Sequence, residues 1–245
     1  VDYGSMEVRI LACQSQDHVL IKYIESGGDI HGDWTMNIFG VEKGDKDFDA
    51  KRFLAKNQFI FPLFYGSYWR SIARTLEVPD NFYPNLSHYK RYGRWERHIR
   101  DCENRFWEQF SATREWQDEQ IKIYEKTGYV CDGAWGFKRR GYLTRNQIYN
   151  FPIQGPAFHC LLWTISKWFK DHAHRFKTLL CGQIHDELFF DVVPSEWDEV
   201  RKIVTNLMTV AIREENGWIT VPLLAEWPEY GEFPMTTIMG MSRLI

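Results

Sequence analysis

The residues best suited to chemistry are acids at an apolar hairpin. The stretch LLCGQIHDELFFDVV sets His185, Asp186 and Glu187 at a polar tip where two hydrophobic strands meet. Burying neighbouring carboxylates is costly unless a positive charge neutralises them. A divalent cation would do so; the plain alternative is a surface hairpin with an acidic tip. Asp2, in the opening DYGSMEVR, offers a second carboxylate at a strand edge. Two aspartates from separate strands can bridge two Mg²⁺ ions about 3.5–4 Å apart, stabilising the attacking and leaving oxygens of phosphoryl transfer. Between the two aspartates, Arg52 and Lys56 are spaced to share one helical face. That pair suits a triphosphate, Arg through forked hydrogen bonds and Lys as a point charge. An ordinary exposed helix face is the alternative.

These side chains need elements to hold them. Met6, Val8, Ile10 and Leu11 predict a strand passing into a helix over residues 6–12. Ser15–Asp17 opens a helix through Tyr23, which Gly27–Gly28 ends. Residues 42–49 read as a charged loop. A helix from about Lys51 runs into FIFPLFYG, where Pro62 should kink it or mark an irregular turn. Pro79, Asn81, Pro84 and Asn85 mark a loop over 79–87. From His88 to Arg100, Lys90, Arg91, Arg94, Arg97 and Arg100 face a single acid, Glu96, with Tyr89, Tyr92 and Trp95 between them. This is either a solvated helix face or one that tracks phosphates. Residues 103–126 read as one long exposed helix, and 127–144 as a loop or hairpin carrying Lys138, Arg139 and Arg140.

Phe158, Leu161, Leu162, Ile165, Trp168 and Phe169 fall on one stripe of a helix over 157–169. Thr178–Val193 reads as two strands around the acidic tip. Pro194–Ser195 then starts a helix, with Ser195 and Asp198 in a capping-box pattern. Its core stripe is Val200, Ile203, Val204, Leu207, Met208 and Ala211. Pro222, Pro228 and Pro234 make the tail loop-rich.

The 245 residues suffice for one or two domains with a sizeable core. Aromatics reach 16%, eleven of them Trp, which suits stacking surfaces as well as cores. The formal charge is −3, so any nucleic-acid binding needs its basic residues concentrated locally. Five widely spaced cysteines without a C-x-x-C pair argue against a disulfide framework or a cysteine zinc site, and for a reducing compartment. No apolar run is long enough to cross a membrane and no signal peptide is visible. The expectation is a cytoplasmic location, in a bacterial host if the gene is a phage's.

Taken in order, these stretches resemble family A DNA polymerases. DYGSMEVR resembles motif A, usually DYSQIELR. RFLAKNQFIFPLFYG resembles motif B, an R-x-x-x-K followed by an aromatic and then YG. GQIHDELFF resembles motif C, usually QVHDELVFE. NFPIQGPAFH resembles the N-x-P-Q-G-T-A segment between B and C, and Asp29-Ile30-His31 matches the DIH after motif A. The likeness spans nearly the whole chain and is weakest over 67–127. The form of motif B is most similar to bacteriophage polymerases.

The resemblance implies a right-hand polymerase fold of α/β (α+β) class, with an antiparallel palm sheet and helical fingers. It divides the chain into palm over 1–35, fingers over 36–149 and palm over 150–245. It implies that dNTPs are joined to a primer 3′-OH on template DNA with two Mg²⁺ ions, Mn²⁺ being an acceptable substitute. Asp2, Asp186 and Glu187 match the catalytic acids, with Asp2, Asp186 and the Tyr3 carbonyl on the metal. Glu7 matches the residue that closes the sugar pocket and excludes a ribose 2′-OH. His31, Arg52 and Lys56 match triphosphate-binding groups. Phe61 matches the aromatic on the incoming nucleotide, and Tyr65 the insertion-site tyrosine. Asn150, Gln154 and His185 match primer–template contacts, and Arg9 a supporting arginine.

Several residues depart from the family pattern. Ser5 replaces a usual Gln, and Pro156 a Thr. Motif B holds one extra residue between Lys56 and Tyr65, and Pro62 replaces a Gly. One added residue turns a helix by about 100°, so Phe59 and Ile60 compete with Phe61 for its role. The family's thumb and upstream palm strands precede motif A, and neither they nor an exonuclease segment is in this chain. The first residue is Val rather than Met. The expectation is therefore a processed product or piece working with a separate polypeptide that supplies the thumb, the upstream strands and possibly an exonuclease. The alternatives are a single-subunit RNA polymerase fragment and a catalytically silent DNA-binding subunit.

Overall fold

The computed structural model describes residues 1–79 and 82–228. The chain opens with β1 (Asp2–Tyr3), α1 (Met6–Ser15), α2 (His18–Glu25), α3 (Ile30–Phe39) and α4 (Phe48–Ala55). A π-helical turn, Lys56–Ile60, leads into α5 (Phe61–Phe64), followed by α6 (Trp69–Thr75), α7 (His88–Gln109) and α8 (Ser111–Thr127). A hairpin of β2 (Tyr129–Cys131) and β3 (Lys138–Arg140) precedes α9 (Arg145–Lys167). Then come β4 (Leu179–Ile184), β5 (Glu187–Asp191), α10 (Trp197–Asn206), α11 (Ile212–Glu215) and β6 (Ala225–Glu226). Packing divides the chain into two units, Val1–Arg9 with Ala157 onward, and Ile10–Pro156. The motif-based division into palm over 1–35, fingers over 36–149 and palm over 150–245 is one by expected role, a different criterion from this packing. Asn81 of the expected 79–87 loop and Pro234 of the expected tail lie outside the described residues.

The first unit is built on an antiparallel sheet ordered β4-β5-β1-β6. Val1 and Leu188 exchange backbone hydrogen bonds, amine to carbonyl and amide to carbonyl, both at 2.8 Å. Arg9 ties the β1 exit to the run into β6, donating from Nε to the Gly4 carbonyl (2.9 Å) and from Nη1 to the Pro222 carbonyl (2.5 Å). Tyr3 and Leu188 on the sheet, Cys160, Leu161 and Trp168, and Val200, Val204, Met208 and Ile212 are all buried. The stripe expected on 157–169 is narrower than its composition suggested. Leu161 and Trp168 point inward, but Phe158, Leu162 and Phe169 are exposed, and small residues Ala157, Cys160 and Thr164 complete the buried row.

The capping box at Ser195 does not form. A 3₁₀ turn, Pro194–Glu196, precedes α10, and Glu196 is its N-cap residue without a capping hydrogen bond. The Glu196 carboxylate instead accepts from the Thr178 amide (2.9 Å), the Thr178 hydroxyl (2.7 Å) and the Lys177 amide (3.1 Å), fastening the entrance of β4.

The second unit packs around aromatics. Trp34 stacks on Phe59 with centroids 5.5 Å apart, and Phe106 touches Trp34, Phe59, Phe64 and Phe110. Buried aromatics of this size bring the largest apolar area and prefer such tilted contacts. Asp17 is the one N-cap expected and found, and it serves two helices. Its Oδ1 accepts from the Val19 and Leu20 amides at the start of α2, while its Oδ2 accepts from the Thr113 amide and hydroxyl in the first turn of α8. Both helix ends present unpaired N–H groups and positive dipole ends, so one buried carboxylate satisfies both.

Two expectations are corrected. Residues 6–12 are helical rather than a strand entering a helix, and the strand is Asp2–Tyr3 alone. Met6, Val8, Ile10, Leu11, Ala12 and Cys13 are all buried, so the segment is apolar nearly all round and carries no helical period. The long exposed helix over 103–126 is two helices broken at Phe110, whose ring is fully buried with that of Phe106.

Candidate active site

The sheet sets the acids. Asp2 lies directly opposite Glu187 on β5 and opposite Glu226 on β6. Cross-strand partners point to the same face, so three carboxylates form a row across β5, β1 and β6. The Tyr3 amide donates to the Asp186 carbonyl at 3.4 Å, which draws the motif C turn against β1. His185 turns the chain between β4 and β5 with φ of +53° and is exposed. The Tyr3 ring is buried beneath the strand. The Thr164 hydroxyl donates to the Cys160 carbonyl at 3.1 Å, so the Tyr3 hydroxyl donates to Thr164 Oγ1 at 3.4 Å. Burial pushes the Tyr3 phenol well up, so it stays protonated. Glu7 sits in the first turn of α1, half-buried.

Burial pushes Asp2 up to about 6, and the charges of Asp186 and Glu187 push the same way, with Glu226 adding to them. Asp2 Oδ1 is buried without a hydrogen-bond partner. A half-buried carboxylate among acids, with one oxygen unsatisfied, is an environment that a divalent cation would relieve. Among the described residues, no three His, Cys, Asp or Glu side chains converge as a complete metal cage. Mg²⁺ does not need one: it takes one or two carboxylates and leaves other positions to phosphates and water.

The second unit holds the remaining residues in a connected string. Arg52 grips Asp29 with a fork, Nη2 to Oδ1 at 2.9 Å and Nε to Oδ2 at 3.3 Å. Asp29 also caps α3, accepting from the Gly32 amide at 3.0 Å. Burial alone would raise Asp29, but the hydrogen bonds from Arg52 and Gly32 and the nearby positive charges hold it below the usual carboxylate range. His31, in the first turn of α3, is 2% exposed and neither ring nitrogen has a partner. Burial, then the charges of Lys56 and Arg52, lower it to about 4, so it is neutral at pH 7. Phe61 stands edge-on to His31 (5.7 Å), tilted against Tyr65 (6.1 Å), and 5.4 Å from the Lys56 ammonium. Gln154 Nε2 donates to the Tyr65 hydroxyl at 3.2 Å. Asn150 lies four residues before Gln154 on α9, half-buried.

The extra residue of motif B is taken up by the π-helical turn Lys56–Ile60, in which the Phe61 amide reaches back to the Lys56 carbonyl. A π turn spends one more residue than an α turn, so it offsets an insertion without rotating the helix downstream of it. Pro62 sits just after it, at the start of α5. A proline lacks the N–H for an i−4 bond and crowds the carbonyl four residues back, which a widened turn tolerates. Phe59 and Ile60 are fully buried, whereas Phe61 is half-buried and touches His31 and Tyr65. Of the three competing residues, Phe61 is the one beside the motif residues.

Two residues gain a part in the site only from the structure. Asp29 stands out in the sequence only as the first residue of DIH, although an Asp before an apolar helix start is an N-cap signal. Glu226 lies in the proline-marked tail, and only the pairing of β6 with β1 reveals it.

A small antiparallel sheet carrying a row of acids, with a helical unit between its strands in sequence, defines the palm and fingers of a right-hand polymerase. The chain belongs to DNA polymerase family A, whose model matches residues 1–229. It is 28% identical over 237 residues to DNA polymerase I of Streptococcus pneumoniae, covering 92% of this chain and 24% of the relative. It is 30% identical over 228 residues to DNA polymerase I of Lactococcus lactis, covering 91% and 24%. The chain thus spans about a quarter of the length of these curated relatives. In fold it is similar to the POL domain of Pol1 from M. smegmatis, solved in complex with DNA primer-template and dNTP. The TM-score is 0.63 at 20% identity, covering 85% of this chain and 35% of that one. Among the described residues no helix is long and apolar enough to cross a membrane.

Proposed function

We propose that this chain is the palm and fingers of a family A polymerase, of bacteriophage type, that adds dNTPs to a primer 3′-OH on template DNA. One observation carries the reading. Asp2 stands in register with Glu187, its neighbour Tyr3 bonds to the Asp186 backbone, and Asp2 Oδ1 is buried and unsatisfied.

In this reading Asp2, Asp186 and the Tyr3 carbonyl hold Mg²⁺. When bound, the ions supply positive charge to the oxygens of the reacting phosphate. The rest falls to the chain's own side chains. Arg52 and Lys56 neutralise and orient the triphosphate; Arg52 does so from the Asp29 fork, which fixes its guanidinium plane. Neutral His31 offers a ring N–H as a hydrogen-bond donor without adding a full charge. Glu7 closes the sugar pocket, and Phe61 and Tyr65 give flat surfaces to the nascent pair. Asn150, Gln154 and His185 contact primer and template, with Gln154 also holding the Tyr65 hydroxyl.

A second polypeptide carrying the thumb and upstream strands belongs to the same reading. The exposed apolar row Phe158, Leu162 and Phe169 supports it, since such faces mark contact with a partner.

Primer extension with Mg²⁺, by the chain alone and with its co-purifying proteins, tests the reading. Asp186→Asn should abolish extension and weaken Mn²⁺ binding measured by calorimetry. Extension unaffected by Asp186→Asn would sink the catalytic assignment, and full activity of the chain alone would remove the second polypeptide.

A further inference from the structure

The first half of α7 lies in the 67–127 span, where the family pattern is weakest. Its buried side is Trp95, Ile99 and Cys102. On the opposite side Lys90, Arg94 and Arg97 are all exposed. They stand at i, i+4 and i+7, so they line one face. None of the three has a carboxylate within ion-pair distance among the described residues. Arg94 lies over the Tyr83 ring at 4.7 Å, and Arg97 Nε donates to the Gly93 carbonyl at 3.3 Å.

Gly93 sits in the middle of this face, inside the helix. A helix-interior Gly costs about 1 kcal/mol relative to Ala. Nothing among the described residues requires it: a Cβ built there meets none of their atoms within 4 Å, and its φ lies outside the left-handed region. The missing side chain deepens a depression of about 470 Å³ whose lining includes Tyr89, Lys90, Gly93, Arg94 and Arg97, with Glu96 as its one acid. Tyr89 is 88% exposed at its rim. A helix that gives up stability to open a notch between three cations without an ion pair among the described residues, three against the single acid Glu96 and next to a bare aromatic ring, is shaped for an anionic ligand that comes close to its backbone.

We propose that this notch binds single-stranded DNA, with phosphates on Lys90, Arg94 and Arg97 and a base stacked on Tyr89. Cations along a groove beside an aromatic platform are what an unpaired strand uses, because only unpaired bases expose a face to stack. A duplex would use the cations but leave Tyr89 idle. The polymerase reading is needed only to identify the strand as the unpaired template ahead of the primer end.

The test is fluorescence anisotropy of a labelled 20-nucleotide oligothymidylate with the full chain and its partners. Tyr89→Ala should weaken binding by roughly tenfold, the range of one base–aromatic stack. Arg94→Gln with Arg97→Gln should weaken it further and reduce the salt slope by about 1.4, two single-strand phosphate contacts. Gly93→Ala gives a crossed result: the melting temperature rises while affinity for the oligonucleotide falls. On primer-templates, these variants should extend normally with a two-nucleotide overhang and poorly with a twenty-nucleotide one. Oligonucleotide affinity unchanged in Tyr89→Ala and in the double variant overturns the proposal, as does an equal loss on a blunt duplex. Absence of extension by the unmodified protein would count against the polymerase reading and leave the anisotropy result to decide this one.

Discussion

Phe61 stands edge-on to His31 with ring centroids 5.7 Å apart, although the sequence between Lys56 and Tyr65 is one residue too long. The π-helical turn absorbs the surplus, so the buried Phe59 and the half-buried Phe61 have separate duties. Phe59→Ala should cost about 3–5 kcal/mol of stability, as for other fully buried aromatics. Phe61→Ala should cost much less and raise KM for dNTP several-fold. Urea denaturation and steady-state extension measure both; the reverse pattern would return the nucleotide-facing role to Phe59.

His31 gives the helical unit an acid sensitivity. Its folded pKa of about 4 lies below the ordinary 6.5. The unfolded chain therefore takes up a proton first as pH falls, and stability is lost between about 6.5 and 4. The full shift corresponds to about 3 kcal/mol. His31→Leu should be less sensitive over that range in urea melts at pH 7 and pH 4.5, while losing dNTP affinity at pH 7.

Asp2 works in the opposite sense. Its pKa is raised to about 6, so the folded state holds the proton more tightly than the unfolded chain. The Asp2 contribution to stability is then largest at low pH and is lost as pH rises through about 4 to 6. With chelator present, Asp2→Asn should stabilise the protein at pH 7.5 by about 1–2 kcal/mol, discounted because Asp2 is only half-buried. Adding Mg²⁺ should raise the melting temperature of the unmodified protein more than that of the variant. Equal shifts would separate Asp2 from metal binding.

Asp17 joins α2 to α8 through both carboxylate oxygens. Asp17→Ala removes caps from two helices at once, each worth about 1 kcal/mol. It also removes the carboxylate that the buried Thr113 amide and hydroxyl donate to, leaving the hydroxyl only its 3.4 Å contact with Ser15 Oγ. A loss of about 2–4 kcal/mol is expected in denaturant titration, and Asp17→Asn should recover part of it.

Local signals carried much of this fold. Asp17 before an apolar run gave α2, and the hydrophobic stretches on either side of the acidic tip at Asp186 gave the β4–β5 hairpin. The motif residues of the helical unit were legible for the same reason, since Arg52, Lys56, Phe61 and Tyr65 lie within one short segment. The features that escaped depend on distant partners. Residues 6–12 looked like a strand because their burial on most sides erases the helical period. Ser195 lost its capping role because it lies inside the 3₁₀ turn that precedes α10, which puts Glu196 at the N-cap, and Glu226 became visible only once β6 paired with β1. The break at Phe110 comes from its ring entering the cluster around Phe106, a contact that no residue count along the helix announces.

The pairing of β1 has a consequence for how the molecule is made. Val1 and Leu188 are 187 positions apart, and Arg9 reaches across 213 to Pro222. Contacts of such separation form slowly, because loop-closure entropy must be met before they stabilise anything. The residues from Ile10 to Pro156 pack among themselves and can fold while translation continues. Among the described residues, the strand bearing Asp2 precedes in sequence both strands it pairs with, β5 and β6, so the row of acids is complete only after β6 has been synthesised.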